Sequence, residues 1–355
     1  MDAPTGPTSS RKKDHVDLTI NKDVAFRRKT AGFESWEFVH NALPELDFSE
    51  ITTETVFAGR TLAFPFMISC MTGGYPDAER INRELAEVCQ ECRIAMGVGS
   101  QRQAIEHTAY HRSFSIVRSS APDIPIIGNI GAAEVARMTD AGVVRRLAEL
   151  IGADAFAVHL NPLQEFLQPE GSTSFKGVLQ GIEMLVRSLG IPVIVKEIGA
   201  GISQQVARRL MDAGVTMIDV AGAGGTSWAG VELLRSASHQ VGRNDAPEEN
   251  PFWDWGIPTT DALVEIAPLK SANPNLVIIA SGGIASGMDC AKAVALGADL
   301  AASARPMLKR LESGGQEGLR TMISEWVRTF KGAMFLTGAR DIAALQKVPI
   351  HHIRR

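Results

Sequence analysis

Eight short apolar runs separated by segments of helical period predict an α/β chain folded as a (β/α)8 barrel. The runs are residues 64–69, 94–98, 126–128, 155–158, 193–195, 217–220, 276–280 and 300–302. Each is near-continuously apolar rather than alternating, the pattern of a strand covered on both faces of a parallel sheet. Helices must then cover the outside. In the first intervening segment Ile81, Leu85, Val88, Cys89 and Cys92 recur at three- and four-residue spacing, while Glu79, Arg83, Glu84 and Glu87 face elsewhere. Residues 134–150, 177–189, 203–213, 261–267 and 288–296 read in the same way, and several end at glycine, as at Gly214 and Gly297. Residues 317–336 read as a closing C-terminal helix. Helical crossovers after most strands favour a closed barrel over an open, doubly wound sheet.

A barrel with insertions accounts for most of the 355 residues, so residues 11–355 read as one domain. Residues 1–10, rich in Pro, Thr and Ser and without periodicity, read as a flexible tail. Residues 11–61 form an N-terminal extension, and the polar, non-periodic stretch 240–256 reads as a lid loop after the sixth strand. With 36 Lys+Arg against 40 Asp+Glu the formal charge is −4, which argues against a nucleic-acid-binding face. No apolar stretch approaches the roughly 20 residues that span a bilayer, and no apolar segment follows the first charges. A cytoplasmic protein without membrane partners is expected. Cys70, Cys89, Cys92 and Cys290 are too few for a disulfide framework in so long a chain and are expected as free thiols. Cys89 and Cys92 lie on the apolar helix face with no second pair, so core packing is preferred to a metal or redox role.

In this fold the active site lies at the C-terminal ends of the strands. The residues there are polar or glycine: Met71-Thr72-Gly73-Gly74, Gly99-Ser100-Gln101-Arg102, Asn129, His159 to Glu165, Lys196-Glu197, Gly222 to Thr226, Ser281-Gly282-Gly283 and Ser303-Ala304-Arg305. Gly282 and Gly283, with Ser303-Ala304, occupy the position where backbone N–H groups and a helix N-terminus bind phosphate, although a tight turn alone also accounts for two glycines. Lys196, after a run too apolar to accommodate a bare charge, is either paired with Glu197 or aimed at an anionic ligand such as a flavin ring. His159, Asn161, Gln164 and Glu165 converge on one ligand if Asn161-Pro162 makes a turn. A single carboxylate beside a phosphate site commonly holds Mg2+, with substrate oxygens and water completing the shell. Arg11-Lys12-Lys13-Asp14-His15 is the one basic run; folded over the mouth, it would clamp a diphosphate.

In order and at strand spacing these motifs resemble the type 2, FMN-dependent isopentenyl-diphosphate isomerases, from Arg11 to the C-terminal helix. The His159-Leu160-Asn161-Pro162-Leu163-Gln164-Glu165 stretch is the most specific of them. The resemblance implies an FMN-dependent barrel interconverting isopentenyl and dimethylallyl diphosphate in isoprenoid biosynthesis, with reduced FMN, Mg2+ and NADPH as reductant. It implies that Met71, Thr72, Gly73, Ser100, Asn129, Lys196, Thr226, Gly282, Gly283, Ser303 and Ala304 hold FMN. Arg11, Lys12, Ser100, Arg102, His159, Asn161 and Gln164 would face the substrate, Glu165 would bind Mg2+, and Gln164, His159 and Lys196 would be catalytic. A homotetramer or larger homo-oligomer is the family expectation. The alternative is an FMN-dependent 2-hydroxy-acid oxidoreductase of the same barrel type; these carry a His-Gly-Gly-Arg stretch after strand six, where this chain reads Ala223-Gly224-Gly225-Thr226.

Overall fold

A computed structural model describes residues 7–239 and 247–353. The eight apolar runs form strands β1 (Phe66–Ile68), β2 (Ala95–Gly97), β3 (Ile126–Gly131), β4 (Ala155–His159), β5 (Val193–Lys196), β6 (Met217–Asp219), β7 (Val277–Ala280) and β8 (Leu300–Ser303). They pair in parallel and in sequential order into a closed barrel, β8 returning to β1 through Ser303 opposite Ile68. The predicted fold class holds. The strands are buried along nearly their whole length because helices pack outside and side chains fill the inside.

Two apolar layers follow. Met67, Ala95, Ile127, Ala155, Ile194, Ile279 and Leu300 fill the interior, while Ile68, Met96, Phe156, Val195 and Ile278 meet the helices. The inner layer is closed at the N-terminal end by an antiparallel hairpin, Thr55–Phe57 with Arg60–Leu62, whose Phe57 and Leu62 join the interior cluster. Arg60 anchors it by donating to Asp154 Oδ1 at 2.7 Å. Truncation of this plug, Leu62→Ala, is expected to cost about 2–5 kcal/mol of stability in denaturant unfolding, because the side chain is fully buried. A loss below about 1 kcal/mol would show that the hairpin is not part of the barrel core.

Several expectations need correction. The segment 134–150 is two helices, Ala132–Val135 and Gly142–Ile151, because Asp140 Oδ1 accepts the Gly142 N–H at 2.7 Å and starts the second one afresh. The C-terminal helix is longer than 317–336: it runs Arg305–Thr337 with a non-helical break at Gly315, where the Gly314-Gly315 pair permits φ 60°. Residues 7–10 of the expected tail belong to helix Pro7–Asn21, whose Val16 packs against the core; residues 1–6 lie outside the described residues. Tertiary packing, not local propensity, makes this a helix.

Only the first part of the 11–61 extension reaches the mouth. Trp36–Phe38 pairs with Ile350–His352, and residues 55–62 lie at the opposite end of the barrel. Of the expected lid, residues 240–246 lie outside the described residues, and residues 250–256 are tied down at Trp253 and Asp254, with Trp255 left exposed. Trp253 is 1% exposed, its Nε1 donates to Ala25 O at 2.9 Å, and Asp254 Oδ1 accepts the Arg27 and Arg28 N–H groups. Gly230 is glycine because a Cβ there would meet the Trp253 ring at 2.7 Å. All four cysteines are free, Cys89 and Cys290 fully buried.

Candidate active site

The C-terminal ends of the strands surround a chamber of about 430 Å3. Every residue that the resemblance assigned to flavin, substrate, metal or catalysis lines it except Thr72. The Thr72 hydroxyl instead bonds the Asn82 side chain, within helix Ala78–Cys92, and its carbonyl accepts the Gly99 N–H at 2.7 Å. A polar residue on the buried face of that amphipathic helix had already claimed it.

One end of the chamber is backbone. Gly282 and Gly283 have φ of 95° and 75°, which side chains disfavour, and they turn the chain just after β7. Helix Arg305–Thr337 begins immediately after Ser303-Ala304, so its positive N-terminal end faces the same space, although Pro306 has no N–H and the Met307 N–H is bonded to Ala304 O at 3.1 Å. Thr226 closes this end, held by pairing with Ala25 of the extension. The glycine turn therefore both packs tightly and leaves an anion site.

The other end is cationic. Helix Pro7–Asn21 lies over the mouth, pinned at its C-terminus by Arg305, which donates to the carbonyls of Thr19 and Lys22 at 2.8 Å each. This delivers Arg11 and Lys12 to the chamber. Lys12 Nζ donates to Gly73 O and Ser100 O, at 3.0 and 2.7 Å, and meets no carboxylate among the described residues. Burial, then the neighbouring Arg11 charge, lowers its pKa to about 7. Arg102 is held by Glu106 and Glu134, both at 3.1 Å.

Between these ends lies a polar wall from β3, β4 and β5. His159 Nδ1 is 2.9 Å from Asn129 Oδ1, so the ring carries its proton there and can offer Nε2 as an acceptor. Burial, then the charges of Lys196 and Lys12, depress its pKa to about 3 and keep the ring neutral. Lys196 does not pair with the Glu197 carboxylate. It donates to the Glu197 carbonyl at 2.5 Å, while that carboxylate accepts the N–H groups of Ile198, Gly199 and Ala200.

Pro162–Leu167 is helical from Pro162, the proline occupying a position that needs no N–H. Asn161, ahead of it, donates to Gln164 Oε1 at 3.1 Å and to Glu165 Oε1 at 2.9 Å. Gln164 Nε2 in turn donates to Glu232 Oε1 at 2.9 Å.

Glu232 escaped the sequence reading. It is 0% exposed on helix Trp228–His239, with His15 Nε2 2.9 Å from Oε1 and Arg235 Nε 2.9 Å from Oε2. Burial raises its pKa, but the contacts with His15, Gln164 and Arg235 outweigh that and hold it at about 2. Arg235 also meets Glu170 at 2.7 Å, which lies 3.9 Å from Arg11. The available signal was an acid among apolar residues, Trp-Ala-Gly-Val-Glu-Leu-Leu, one turn beyond the strand-six glycines.

A barrel with a glycine-turn anion site, a buried lysine and a polar wall defines a flavin-binding enzyme class. Consistent with this, residues 8–120 and 162–352 match the family described as FMN-dependent dehydrogenase. Solved barrels share the fold: a mandelate oxidase with (S)-2-phenylpropionate at TM-score 0.67 and 18% identity, covering 96% of this chain and 95% of that one. A protein described as a lactate oxidase of Pediococcus acidilactici matches at TM-score 0.66 and 17% identity, covering 98% and 94%. Much nearer in sequence are the isopentenyl-diphosphate delta-isomerases of Chlorobaculum parvum and Pseudescherichia vulneris, each 48% identical and covering 97% of both chains. The chain belongs to the isopentenyl-diphosphate delta-isomerase family and is an enzyme of that type.

Proposed function

We propose that the protein interconverts isopentenyl and dimethylallyl diphosphate, with FMN held between the glycine turn and Lys196. The observation that carries this reading is the two-ended chamber: an anion site made of backbone and, across the polar wall, a second one made of Arg11, Lys12 and Arg102. A flavin phosphate and a substrate diphosphate need two such sites. The fit for FMN rests on the Gly282-Gly283 turn, the helix end that follows Ser303-Ala304 and a buried lysine facing the chamber. When bound and reduced, FMN supplies the acid/base group for a shift in which one proton joins the terminal alkene carbon and another leaves the allylic carbon. Net redox change is zero, so NADPH would prime the flavin without stoichiometric consumption.

The protein's own groups hold the alkene and its protons. Gln164 is fixed with Nε2 toward Glu232 and Oε1 toward Asn161, and Glu232 Oε1 is a standing acceptor at its far side. His159 enters as a neutral hydrogen-bonding ring rather than a charged acid, since its pKa lies near 3. Glu165 is the metal candidate. Among the described residues no group of three or more His, Cys, Asp or Glu gathers to hold a cation, so Mg2+ here would take further ligands from the diphosphate and water. Lys196 would stabilise negative charge on the reduced ring.

The oxidase-type barrels share only the fold at 17–18% identity, and the Ala223 to Thr226 loop supplies neither a histidine base nor an arginine clamp for a carboxylate. NMR in D2O under anaerobic conditions, with isopentenyl diphosphate, Mg2+ and FMN, tests the reading. Deuterated dimethylallyl diphosphate appearing only after dithionite reduction is expected; oxidation of lactate or glycolate without isomer exchange would overturn it.

The Lys12 environment carries a pH prediction. Free Lys12 loses its proton above about pH 7, whereas a bound diphosphate restores it. An alkyl diphosphate's own last ionisation, about 6 like a phosphate monoester's, is complete by then. Isopentenyl diphosphate affinity should therefore fall from pH 7 to 9 by calorimetric titration, with accompanying proton uptake. In Lys12→Arg that fall should vanish; an unchanged slope would clear Lys12 of the effect.

A further inference from the structure

Directly behind Lys196 lies a buried carboxylate for which the proposed chemistry has no use. Asp219 ends β6 as the lateral partner of Lys196 on β5, is 0% exposed, and does not line the chamber. Its Oδ1 accepts from Ser281 Oγ at 2.6 Å and from the Ala221 N–H at 3.2 Å. Its Oδ2 has no hydrogen-bond partner, and Lys196 Nζ stands 3.8 Å away. From β1 the facing titratable group is the Cys70 thiol, which burial pushes up to about 12 and so keeps neutral.

A buried carboxylate with an unmade bond is costly, and pairing alone would draw the ammonium into direct contact. Here Ser281 and Ala221 hold the carboxylate back, and the lysine spends its short bond on a carbonyl. The lysine nitrogen is thus held in a dry place short of direct contact with the carboxylate, and it remains the member of the pair that faces the chamber.

We infer that Asp219 is a positioning residue that moderates the positive charge Lys196 presents to the flavin, and so sets the electron affinity and N1 acidity of the bound cofactor. The inference rests on flavin binding, which membership of the FMN-dependent family supports, and not on the identity of the substrate. Its physical basis is that a charge beside the ring tunes a flavin's electronics, and that Coulomb interactions are strong in a water-poor site.

The test is Asp219→Asn in the FMN-loaded protein, measured by dye-coupled reduction potential and by absorbance titration of the reduced flavin. The amide keeps an acceptor for Ser281 and removes the negative charge. The potential should move positive, and the N1 acid constant should rise by roughly tenfold. Both shifts should disappear when the substitution is made in a Lys196→Met background, because Asp219 acts through that lysine. No shift, or the same shift without the lysine, overturns the inference. If the Asn variant does not fold, 13C-aspartate-labelled native holoenzyme still decides. Its reduction-induced infrared difference spectrum should contain a buried aspartate band that Lys196→Met lacks, and absence of that band from the native spectrum counts equally against the inference.

Discussion

Glu232→Gln should lower isomerase turnover by roughly 10²- to 10⁴-fold, the usual range for loss of a positioned acid–base group, while KM for the diphosphate substrate stays within about three-fold. The reason is geometric. Among the described residues Glu232 Oε1 is the one acceptor for Gln164 Nε2, and it decides which way that amide points; a neutral amide in its place can face Gln164 with either atom. The diphosphate clamp, Arg11, Lys12 and Arg102, does not touch Glu232 through a hydrogen bond, so binding should be spared. Removing the charge also weakens one of the carboxylate contacts of Arg235, which predicts a measurable stability loss besides the kinetic one. The native carboxyl adds a pH signature. Its pKa falls from an ordinary 4.5 to about 2, so its ionisation stabilises the fold above pH 4.5 and that contribution is lost as pH falls toward 2. Acid unfolding of Glu232→Gln should lack that part of the transition. Turnover within about three-fold of native would remove Glu232 from the acid–base machinery.

What the sequence disclosed and what it withheld divide along a physical line. The strands were legible because burial on both faces leaves runs such as 276–280 nearly free of polar residues, and the barrel then places whatever follows each run at the mouth. That logic alone collects Ser100, Asn129, His159, Lys196 and the Gly282-Gly283 turn in one chamber. It fails for residues that reach the site from elsewhere. Glu232 and Arg235 come from a helix whose inward polar positions look like an ordinary amphipathic pattern. Asp219 ends a strand, where its charge is visible but the lysine opposite it depends on register, which composition does not encode. Trp253 is held by a contact with a distant segment, and residues 7–10 continue a helix whose Val16 packs against the core, so their polar neighbourhoods read as loop and tail. Thr72 misleads in the reverse direction: it follows a strand as a ligand residue would, but Asn82 turns its side chain away.

Glu165→Gln should raise the Mg2+ concentration needed for half-maximal turnover by at least about tenfold, with a smaller effect on turnover at saturating metal. Both carboxylate oxygens are already oriented, Oε1 by Asn161 Nδ2 at 2.9 Å and Oε2 by the Ser172 N–H at 2.5 Å. Each oxygen retains a lone pair, so the group is fixed in place yet free to bind a cation from the chamber side. The loop that supplies the Ser172 N–H folds back closely, since a Cβ at Gly171 would collide with the Glu165 backbone. The same loop carries Glu170, salt-bridged to Arg235 at 2.7 Å and 3.9 Å from Arg11. A cation at Glu165 and a diphosphate on Arg11 would therefore be sensed by one short segment, and their binding should be mutually dependent. Calorimetric titration of pyrophosphate with and without Mg2+ measures that coupling directly. Native protein should bind pyrophosphate more tightly with the metal, and Glu165→Gln should lose most of the difference, because the amide no longer offers the anionic ligand that a hard cation prefers. If the coupling survives the substitution intact, the metal is carried by the diphosphate alone and Glu165 serves only to orient Asn161 and the loop.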